Sequence, residues 1–419
     1  MLDKLLTVFK TPELRNKILF VLAMMGLFRL AAAIPITGVN PEQLRNFFSN
    51  NQAFGFLSIF TGGSLSQLSL VMLGLGPYIT STIILQLLTM IFPKLKDMYQ
   101  EQGEQGREKF NFYGRILTLP LAALQGYGFL ILLSRQGVIT LTIMNLVVDI
   151  AIITAGAVFL MWIGELISQK GIGNGISLLI LAGIVARLPL TFYQSISTYQ
   201  ASQLTDYLIL AIIGIFVIAG VVFITESQRN IPVSYAKRVR GNRMYGGVTT
   251  YLPMKVNQAG MIPLIFALSV LIFPQTILNF LGTSSIPWLA SASTKINLLL
   301  QHQLLFGLLY FLLVVVFTFF YTQITFEPHT IAENLQKQGA FILGVRPGKE
   351  TSNFLSATVN KITLAGALFL GLVAIIPFIA RAITGVSSLT IGGTAILIVV
   401  AVILETVRQI EAQIAMREY

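Results

Sequence analysis

The sequence predicts an all-α polytopic membrane protein with ten transmembrane helices, arranged as two inverted, pseudosymmetric five-helix halves. Of the 419 residues, 55% are hydrophobic and only 11% are charged, and the mean hydropathy is +0.78. A soluble domain carries roughly 25% charged residues, so this chain lacks the polar surface that would keep it in water. Two further observations support the prediction: ten apolar runs of spanning length, and an uneven distribution of positive charge among the loops.

A helix needs about 20 mostly apolar residues to cross a bilayer. Runs of this kind lie at 17–36, 68–92, 112–134, 144–165, 176–194, 206–225, 257–280, 303–324, 359–380 and 389–408. A shorter apolar piece, Phe54 to Phe60, precedes the second run and is followed by Gly62 and Gly63. Because this piece is too short to span, we expect it to form a re-entrant or half-inserted helix. The first run lacks a small-residue cleavage pattern and is followed by Pro35, so we interpret it as a retained anchor.

The distribution of positive charge predicts the orientation of these helices. Cytoplasmic loops of membrane proteins carry an excess of Lys and Arg. If the N-terminus is cytoplasmic, 22 of the 28 Lys and Arg residues fall in inside segments and 5 in outside segments, with Arg29 inside the first run. Both termini are therefore expected to be cytoplasmic.

The two longest predicted cytoplasmic loops are 226–256 and 325–358. The first is strongly basic and contains two strand-like stretches, 231–235 and 246–250, on either side of a turn at 240–242, a pattern typical of a β-hairpin. A basic hairpin can bind acidic partners such as RNA phosphate. Positive charge at this position can also serve only to fix the orientation of the chain, and charge alone does not choose between the two roles.

The two predicted halves contain Gly/Pro breaks at matching positions. The second run contains Gly74 and Pro77, and the seventh contains Gly260 and Pro263. In inverted-repeat membrane proteins such breaks often mark a site between the halves. Gly and Pro are also common in ordinary membrane helices, so the matching positions favour the functional interpretation without proving it.

The broken helices carry aliphatic side chains instead of ionisable ones. Leu75 and Ile79 share one helix face, as do Ile176 and Ile180. A ring of such residues forms a dewetted constriction that resists ions, although all four can equally be core or lipid-facing residues. An ion-coupled transporter needs ionisable groups deep in the membrane. Their scarcity favours a protein-conducting channel over a secondary transporter of small solutes or an insertase without a pore.

Nothing in the sequence predicts an enzyme or a cofactor. There are no cysteines, and the two histidines lie far apart in sequence. The stretches 171–175 and 344–351 superficially resemble phosphate-binding loops, but their glycine spacing and context do not match those motifs. Energy for transport is therefore expected from another molecule.

Eight short motifs, in order along nearly the whole chain, resemble the SecY family, and the match is to its bacterial branch. They are Phe60-Thr61-Gly62-Gly63-Ser64-Leu65-Ser66, Leu73-Gly74-Leu75-Gly76-Pro77-Tyr78-Ile79, Gly171-Ile172-Gly173-Asn174-Gly175-Ile176-Ser177, Tyr235-Ala236-Lys237-Arg238, Leu252-Pro253-Met254-Lys255-Val256-Asn257, Gly339-Ala340-Phe341, Gly344-Val345-Arg346-Pro347-Gly348 and Gly392-Gly393-Thr394.

The resemblance implies a channel that passes unfolded secretory polypeptides across the membrane and releases hydrophobic segments sideways into lipid. It implies an N-terminal half at 1–200 and a C-terminal half at 201–419. The implied pore ring is Leu75, Ile79, Ile176, Ile180, Ile265 and Ile398. The implied plug segment, about 57–68, includes Phe60, Thr61, Gly62, Gly63, Ser64 and Leu65. The implied lateral gate, between the second and seventh spans, includes Thr80, Gln86 and Asn257.

The resemblance also implies partners and a location. The basic loops would bind the ribosome or the SecA motor ATPase through Arg238, Arg240, Arg243 and Arg346. Many bacterial relatives carry two basic residues directly after the hairpin glycine, whereas here Asn242 follows Gly241. The small subunits SecE and SecG, signal sequences, preproteins and membrane lipid are the other implied partners. The implied location is the bacterial plasma membrane.

Overall fold

The computed structural model describes residues 11–36, 43–44, 58, 61–100, 102–140, 142–197, 204–235, 238–240, 243–245, 249–282, 287–384 and 387–416. Within these residues the structure is predominantly helical, which confirms the predicted all-helical membrane core. The described polar loops add two small antiparallel β-sheets.

The helices are α1 (Pro12–Ala32), α2 (Gly76–Ile91), α3 (Pro93–Gln100), α4 (Gly103–Arg135), α5 (Ile143–Lys170), α6 (Gly175–Ser197), α7 (Leu204–Glu226), α8 (Ile262–Leu281), α9 (Pro287–Gln301), α10 (Gln303–Thr325), α11 (Pro328–Lys337), α12 (Lys349–Thr384) and α13 (Ser387–Ala415). The strands are β1 (Gln228–Tyr235), β2 (Arg238–Arg240), β3 (Arg243–Tyr245), β4 (Thr249–Lys255) and β5 (Ala340–Ile342).

Each of the ten predicted runs overlaps one helix: α1, α2, α4, α5, α6, α7, α8, α10, α12 and α13. The sequence did not predict α3, α9, α11 or β5.

Fewer helices meet a strict test of spanning length and apolarity. Within the described residues, four helical stretches pass it: Gly103–Arg135, Ile143–Lys170, Leu304–Lys337 and Lys349–Ile379. A fifth is added if Gly76–Ile91 and Pro93–Tyr99, which are bent by 117° at Phe92, count as one span. The count of ten spans therefore stays a prediction.

The start of the second predicted run differs from expectation. Residues 61–75 form a succession of turns, and α2 begins only at Gly76, with Pro77 in its first turn. Glycines at 62, 63 and 74 have positive φ angles of 65°, 88° and 57°, a conformation that interrupts a right-handed helix. Proline suits the first turn of a helix because its missing N–H has no partner there. The expected half-inserted helix near 54–60 lies almost entirely outside the described residues.

The main hydrophobic core lies where helices of the two predicted halves meet. Buried aliphatic and aromatic residues of α1, α2, α5, α6, α7, α8, α10, α12 and α13 form one continuous cluster. A second cluster packs plug-segment residues Leu65 and Leu68 against the end of α4, near Phe129 and Leu133. The core therefore surrounds the elements that carry the predicted pore.

The two long polar loops fold together. Strand β1 pairs antiparallel with β4 and, on its other side, with β5, in the order β4-β1-β5. The predicted hairpin is thus present, with β2 and β3 pairing separately nearer its tip. Ile231 and Val233 of β1 are buried in a small core shared with Ile342 and Leu355. The second loop thereby becomes part of the same sheet as the first.

Candidate functional site

The six predicted ring residues all lie in or against the main hydrophobic core, and four of them, Leu75, Ile79, Ile180 and Ile265, also border one cavity. Leu75, Ile79, Ile180, Ile265 and Ile398 are buried in the main core cluster, and Ile176 packs against it half-buried. They come from the start of α2 and from α6, α8 and α13. If these residues form the predicted constriction, it would disfavour hydrated ions because no polar group replaces their water shell.

The glycine-rich loop before α6 fixes the position of Ile176. Asn174 caps α6, its Oδ1 accepting hydrogen bonds from the N–H groups of Ile176 at 3.1 Å and Ser177 at 3.3 Å. Gly175 lies against α5, and a β-carbon at this position would be 1.9 Å from the Gly164 carbonyl oxygen. The loop that resembles a phosphate-binding motif is therefore a tight connection between α5 and α6.

The described part of the plug segment lies against α1 and α6. The Arg29 guanidinium of α1 donates a hydrogen bond from Nη1 to the Gly62 carbonyl oxygen at 2.7 Å. The Ser64 hydroxyl lies between the carbonyl oxygens of Thr61, at 2.7 Å, and Val71, at 3.0 Å. These contacts hold a non-helical backbone in a fixed course. Phe60 lies outside the described residues.

A largely apolar cavity of about 470 Å³ is bordered by residues of the predicted plug segment, by four predicted ring residues and by one predicted gate residue. The plug segment contributes Thr61 and Leu65, and α2 contributes Thr80. The ring residues that border the cavity are Leu75, Ile79, Ile180 and Ile265. Helices α4 and α8 complete its wall, with Tyr127 and Ser269 among their contributions. A cavity with these borders can accept an apolar segment beside the constriction.

The three predicted gate residues behave differently from one another. Thr80 borders the cavity, but its hydroxyl donates to the Gly76 carbonyl oxygen of its own helix at 2.9 Å. Asn257 donates from Nδ2 to the Gly260 carbonyl oxygen at 3.1 Å and so closes the turn before α8. Gln86 is buried, and its Oε1 has no hydrogen-bond partner in the described part of the chain. Helix α8 contacts both α2 and α4 here.

Sequence reasoning missed two polar features near the pore. Gln125 of α4 borders the cavity, and its signal was a polar residue within an apolar run. Arg115 of α4 donates from Nε to Glu165 Oε1 of α5 at 2.8 Å, and the Tyr78 hydroxyl of α2 lies 3.5 Å from the same oxygen. This small network joins α2, α4 and α5 on one side of the gate.

The predicted docking arginines lie on the polar sheets. Arg240 of β2 faces Arg243 of β3 across the register, and Arg238 faces Tyr245. Arg346 is exposed in the turn after β5, between Gly344 and Gly348, whose φ angles are 82° and 94°. The Thr351 hydroxyl donates to the Arg346 carbonyl oxygen at 2.8 Å and stabilises this turn. The pairing of β5 with β1 thus brings both loops into one surface.

Comparison with known proteins identifies the family. The SecY family model matches residues 69–407. The chain is 42% identical to the protein translocase subunit SecY of Streptomyces coelicolor over all of this chain and 99% of that relative. It is 40% identical to the Aquifex aeolicus subunit of the same name, with the same coverage.

Solved structures agree in fold. A structure described as that of a protein-conducting channel aligns with a TM-score of 0.65 at 21% identity, covering 94% of this chain and 91% of that one. Sec61 in the canine ribosome–channel complex aligns with a TM-score of 0.61 at 19% identity, covering the same shares. Together with the full-length relatives, the match over residues 69–407 establishes that this multi-pass membrane chain belongs to the SecY family.

Proposed function

We propose that this chain is the channel through which unfolded secretory polypeptides cross a membrane and from which hydrophobic segments pass sideways into lipid. The observation that carries the proposal is one cavity that is bordered by the predicted plug segment, four predicted ring residues and α8. The names of the relatives, protein translocase subunits, support it.

The channel is proposed to consist of ten spans in two inverted halves, 1–200 and 201–419, with both termini in the cytoplasm. The matching breaks support this arrangement, since Gly74 and Gly260 both have positive φ and each lies three residues before a proline. The charge asymmetry of the loops supports the orientation. The bacterial origin of the relatives supports a location in the bacterial plasma membrane.

The ring and plug segment are proposed to seal the resting channel. Isoleucine is stiff at its first side-chain torsion, so a ring built mainly from isoleucine makes a defined collar. Such a collar can open around a polypeptide and close again on apolar neighbours. The plug segment borders the same cavity through Thr61 and Leu65, which supports its role as a second barrier.

Lateral release is proposed to occur between α2 and α8. A hydrophobic signal sequence gains about 0.3 to 0.6 kcal/mol per Leu, Ile, Phe or Val at the centre of a bilayer. It reaches lipid only through an opening in the channel wall, and the apolar cavity beside Thr80 lies at this contact. Thr80, Gln86 and Asn257 are the proposed polar members of the gate.

The proposed partners follow from the basic loops, in which Arg346 is exposed, and from the absence of a recognisable energy source in the sequence. Arg238, Arg240, Arg243 and Arg346 would bind the ribosome or the motor ATPase SecA, while SecE and SecG would complete the membrane complex. Sec61 in a ribosome–channel complex and an Ssh1 complex bound to the 80S ribosome are structural neighbours, which supports the ribosomal partner.

The test uses the full chain reconstituted in vesicles with SecE, SecG and SecA. ATP should drive an added preprotein into the vesicles, where it becomes protected from external protease. Vesicles that carry the complex without preprotein should accumulate no small solute when an ion gradient is applied. If the preprotein stays fully accessible to external protease and the vesicles take up the small solute, the chain is a secondary transporter and the channel proposal is wrong.

A second test addresses the plug segment. Deleting residues 61–68 should increase the ion conductance of resting channels because one of two barriers is lost, while ATP-driven export continues. The intact chain is the control. Unchanged resting conductance would contradict the plug assignment.

A further inference from the structure

Two arginines of the predicted N-terminal half converge on the plug segment. Arg29 of α1 donates to the Gly62 carbonyl oxygen, and Arg187 of α6 donates from Nη2 to the Ser66 hydroxyl oxygen at 2.5 Å. The Ser66 hydroxyl in turn donates to the Gly63 carbonyl oxygen at 2.8 Å. Charge-assisted hydrogen bonds are the stronger kind in proteins, and ionisable side chains within membrane spans generally mark function. The two guanidinium groups thus hydrogen-bond within a stretch of five residues, one to the Gly62 backbone and one to the Ser66 side chain.

Glycines make this grip possible. A β-carbon at Gly62 would lie 2.5 Å from the Gly183 Cα of α6, so the two backbones touch directly. A β-carbon at Gly63 would lie 2.6 Å from the Arg187 Nε, which shows that the missing side chain leaves room for the guanidinium. The plug segment therefore rests on α6 through a contact that only small residues permit.

The described polar contacts of this region all stay within one half. The hydrogen bonds that residues 61–75 make with other described residues reach Ser58, Gly76, Ile79, Arg29, Arg187 and the backbone of residues 34 and 36, all in the predicted N-terminal half. On the side facing α8 the segment borders the apolar cavity. Moving α8 away from α2 would widen that cavity without breaking these hydrogen bonds.

We propose that Arg29 and Arg187 form a latch that holds the plug segment on the N-terminal half, so that plug release is a separate step from opening of the lateral gate. This inference rests on the proposed channel function. It predicts that latch variants change resting conductance and leave lateral release of hydrophobic segments unchanged.

The most specific variant changes helix α6, against which the plug segment packs, and leaves the plug segment itself unchanged. Gly183→Ala places a methyl group 2.8 Å from the Gly62 Cα, while alanine is favourable within helix α6. We expect correctly folded channels with raised resting conductance. Gly214→Ala in α7 is the matched control, because nothing lies within 4 Å of a β-carbon there. Equal conductance of the two variants would overturn the proposal.

A second pair of variants tests the arginine itself. Ser66→Ala removes the acceptor and Arg187→Gln removes the charge, and loss of one charge-assisted hydrogen bond should raise the open fraction by about tenfold. Arg187→Lys should restore part of the closure. The threshold hydrophobicity at which a model segment enters lipid is measured on the same proteins and should stay at the value of the unmodified channel. Normal conductance in both variants, or a shifted threshold, contradicts separate release.

Deletion of residues 61–68 separates failure of the latch from failure of the channel assignment. If the deletion raises conductance and the latch variants do not, the plug stands and the latch is wrong. If the deletion also leaves conductance unchanged, the plug assignment itself fails.

Discussion

The two broken helices share a backbone design and differ in what precedes each break. Gly74 and Gly260 have φ angles of 57° and 63°. A glycine from the fourth predicted span of each half also abuts the chain near each break. A β-carbon at Gly156 of α5 would lie 2.0 Å from the Leu70 carbonyl oxygen, and one at Gly366 of α12 would lie 2.6 Å from the Val256 carbonyl oxygen. This correspondence supports the inverted repeat.

The attached segments differ. The first break follows the predicted plug segment, so under the proposed function a movement there would change the seal of the resting channel. The second break follows β4, which ends at Lys255, and the Val256 N–H donates to the Ser227 carbonyl oxygen at 2.9 Å. The β4-β1-β5 sheet is therefore connected directly to the start of α8. The same local chemistry therefore adjoins the predicted plug segment in one half and the sheet that carries the predicted docking arginines in the other.

The largest expected effect concerns the glycine contacts. Gly156→Ala forces a methyl group into a backbone carbonyl that cannot rotate away, and overpacking of this kind costs about 1–3 kcal/mol. Gly366→Ala should cost less, because its contact is 0.6 Å longer by the difference of the two distances above. Thermal unfolding in detergent, followed by tryptophan fluorescence, measures both. Gly214→Ala should unfold at or above the temperature of the unmodified chain, and an equally stable Gly156→Ala variant would mean that the first break is loosely packed.

An intermediate effect is expected at Arg346, on the sheet linked to the second break. Arg346→Glu should slow SecA-driven export about tenfold, since it removes a charge-assisted contact worth about 1.5–3 kcal/mol. In the unmodified channel SecA binding should weaken as salt rises, because exposed charges are screened. Lys295→Glu makes the same charge change on α9, an exposed site predicted to lie on the other side of the membrane, and should leave export unchanged. Export at the normal rate from the Arg346→Glu variant would remove this residue from the docking surface.

Sequence reasoning predicted local features better than distant contacts. The apolar runs predicted the helices, and the turn at 240–242 with its flanking strands predicted the hairpin. The pairing of β5 with β1 was missed because β5 has only three residues and lies about a hundred positions away in the chain. The half-inserted helix expected near 54–60 stays a prediction, because it lies almost entirely outside the described residues, and from residue 61 onward Gly62 and Gly63 with positive φ belong to a series of turns.

The contacts of the candidate site show the same limit. In the sequence, Arg187 was only one of the five positive charges assigned to outside segments. Its hydrogen bond to Ser66 joins residues that are 121 positions apart in the chain. No local pattern encodes such a contact. Likewise, the sequence identified Asn257 as polar at the edge of an apolar helix, but only the structure shows that its amide closes the turn at Gly260.

The smallest expected effect concerns two polar residues of α2 at the predicted lateral gate. Gln86 of α2 buries an amide oxygen with no partner among the described residues, which costs about 1–3 kcal/mol. Gln86→Leu should stabilise the closed gate and raise the hydrophobicity that a model segment needs to enter lipid. At about 0.3 to 0.6 kcal/mol per leucine, a gain of about 1 kcal/mol corresponds to roughly two extra leucines.

Thr80→Val is the matched control, because it also makes a gate position apolar but removes only a hydroxyl bonded within its own helix. The threshold should therefore move little for Thr80→Val. If Gln86→Leu leaves the threshold unchanged, or lowers it, the buried amide belongs to the packing of α2 and not to the gate.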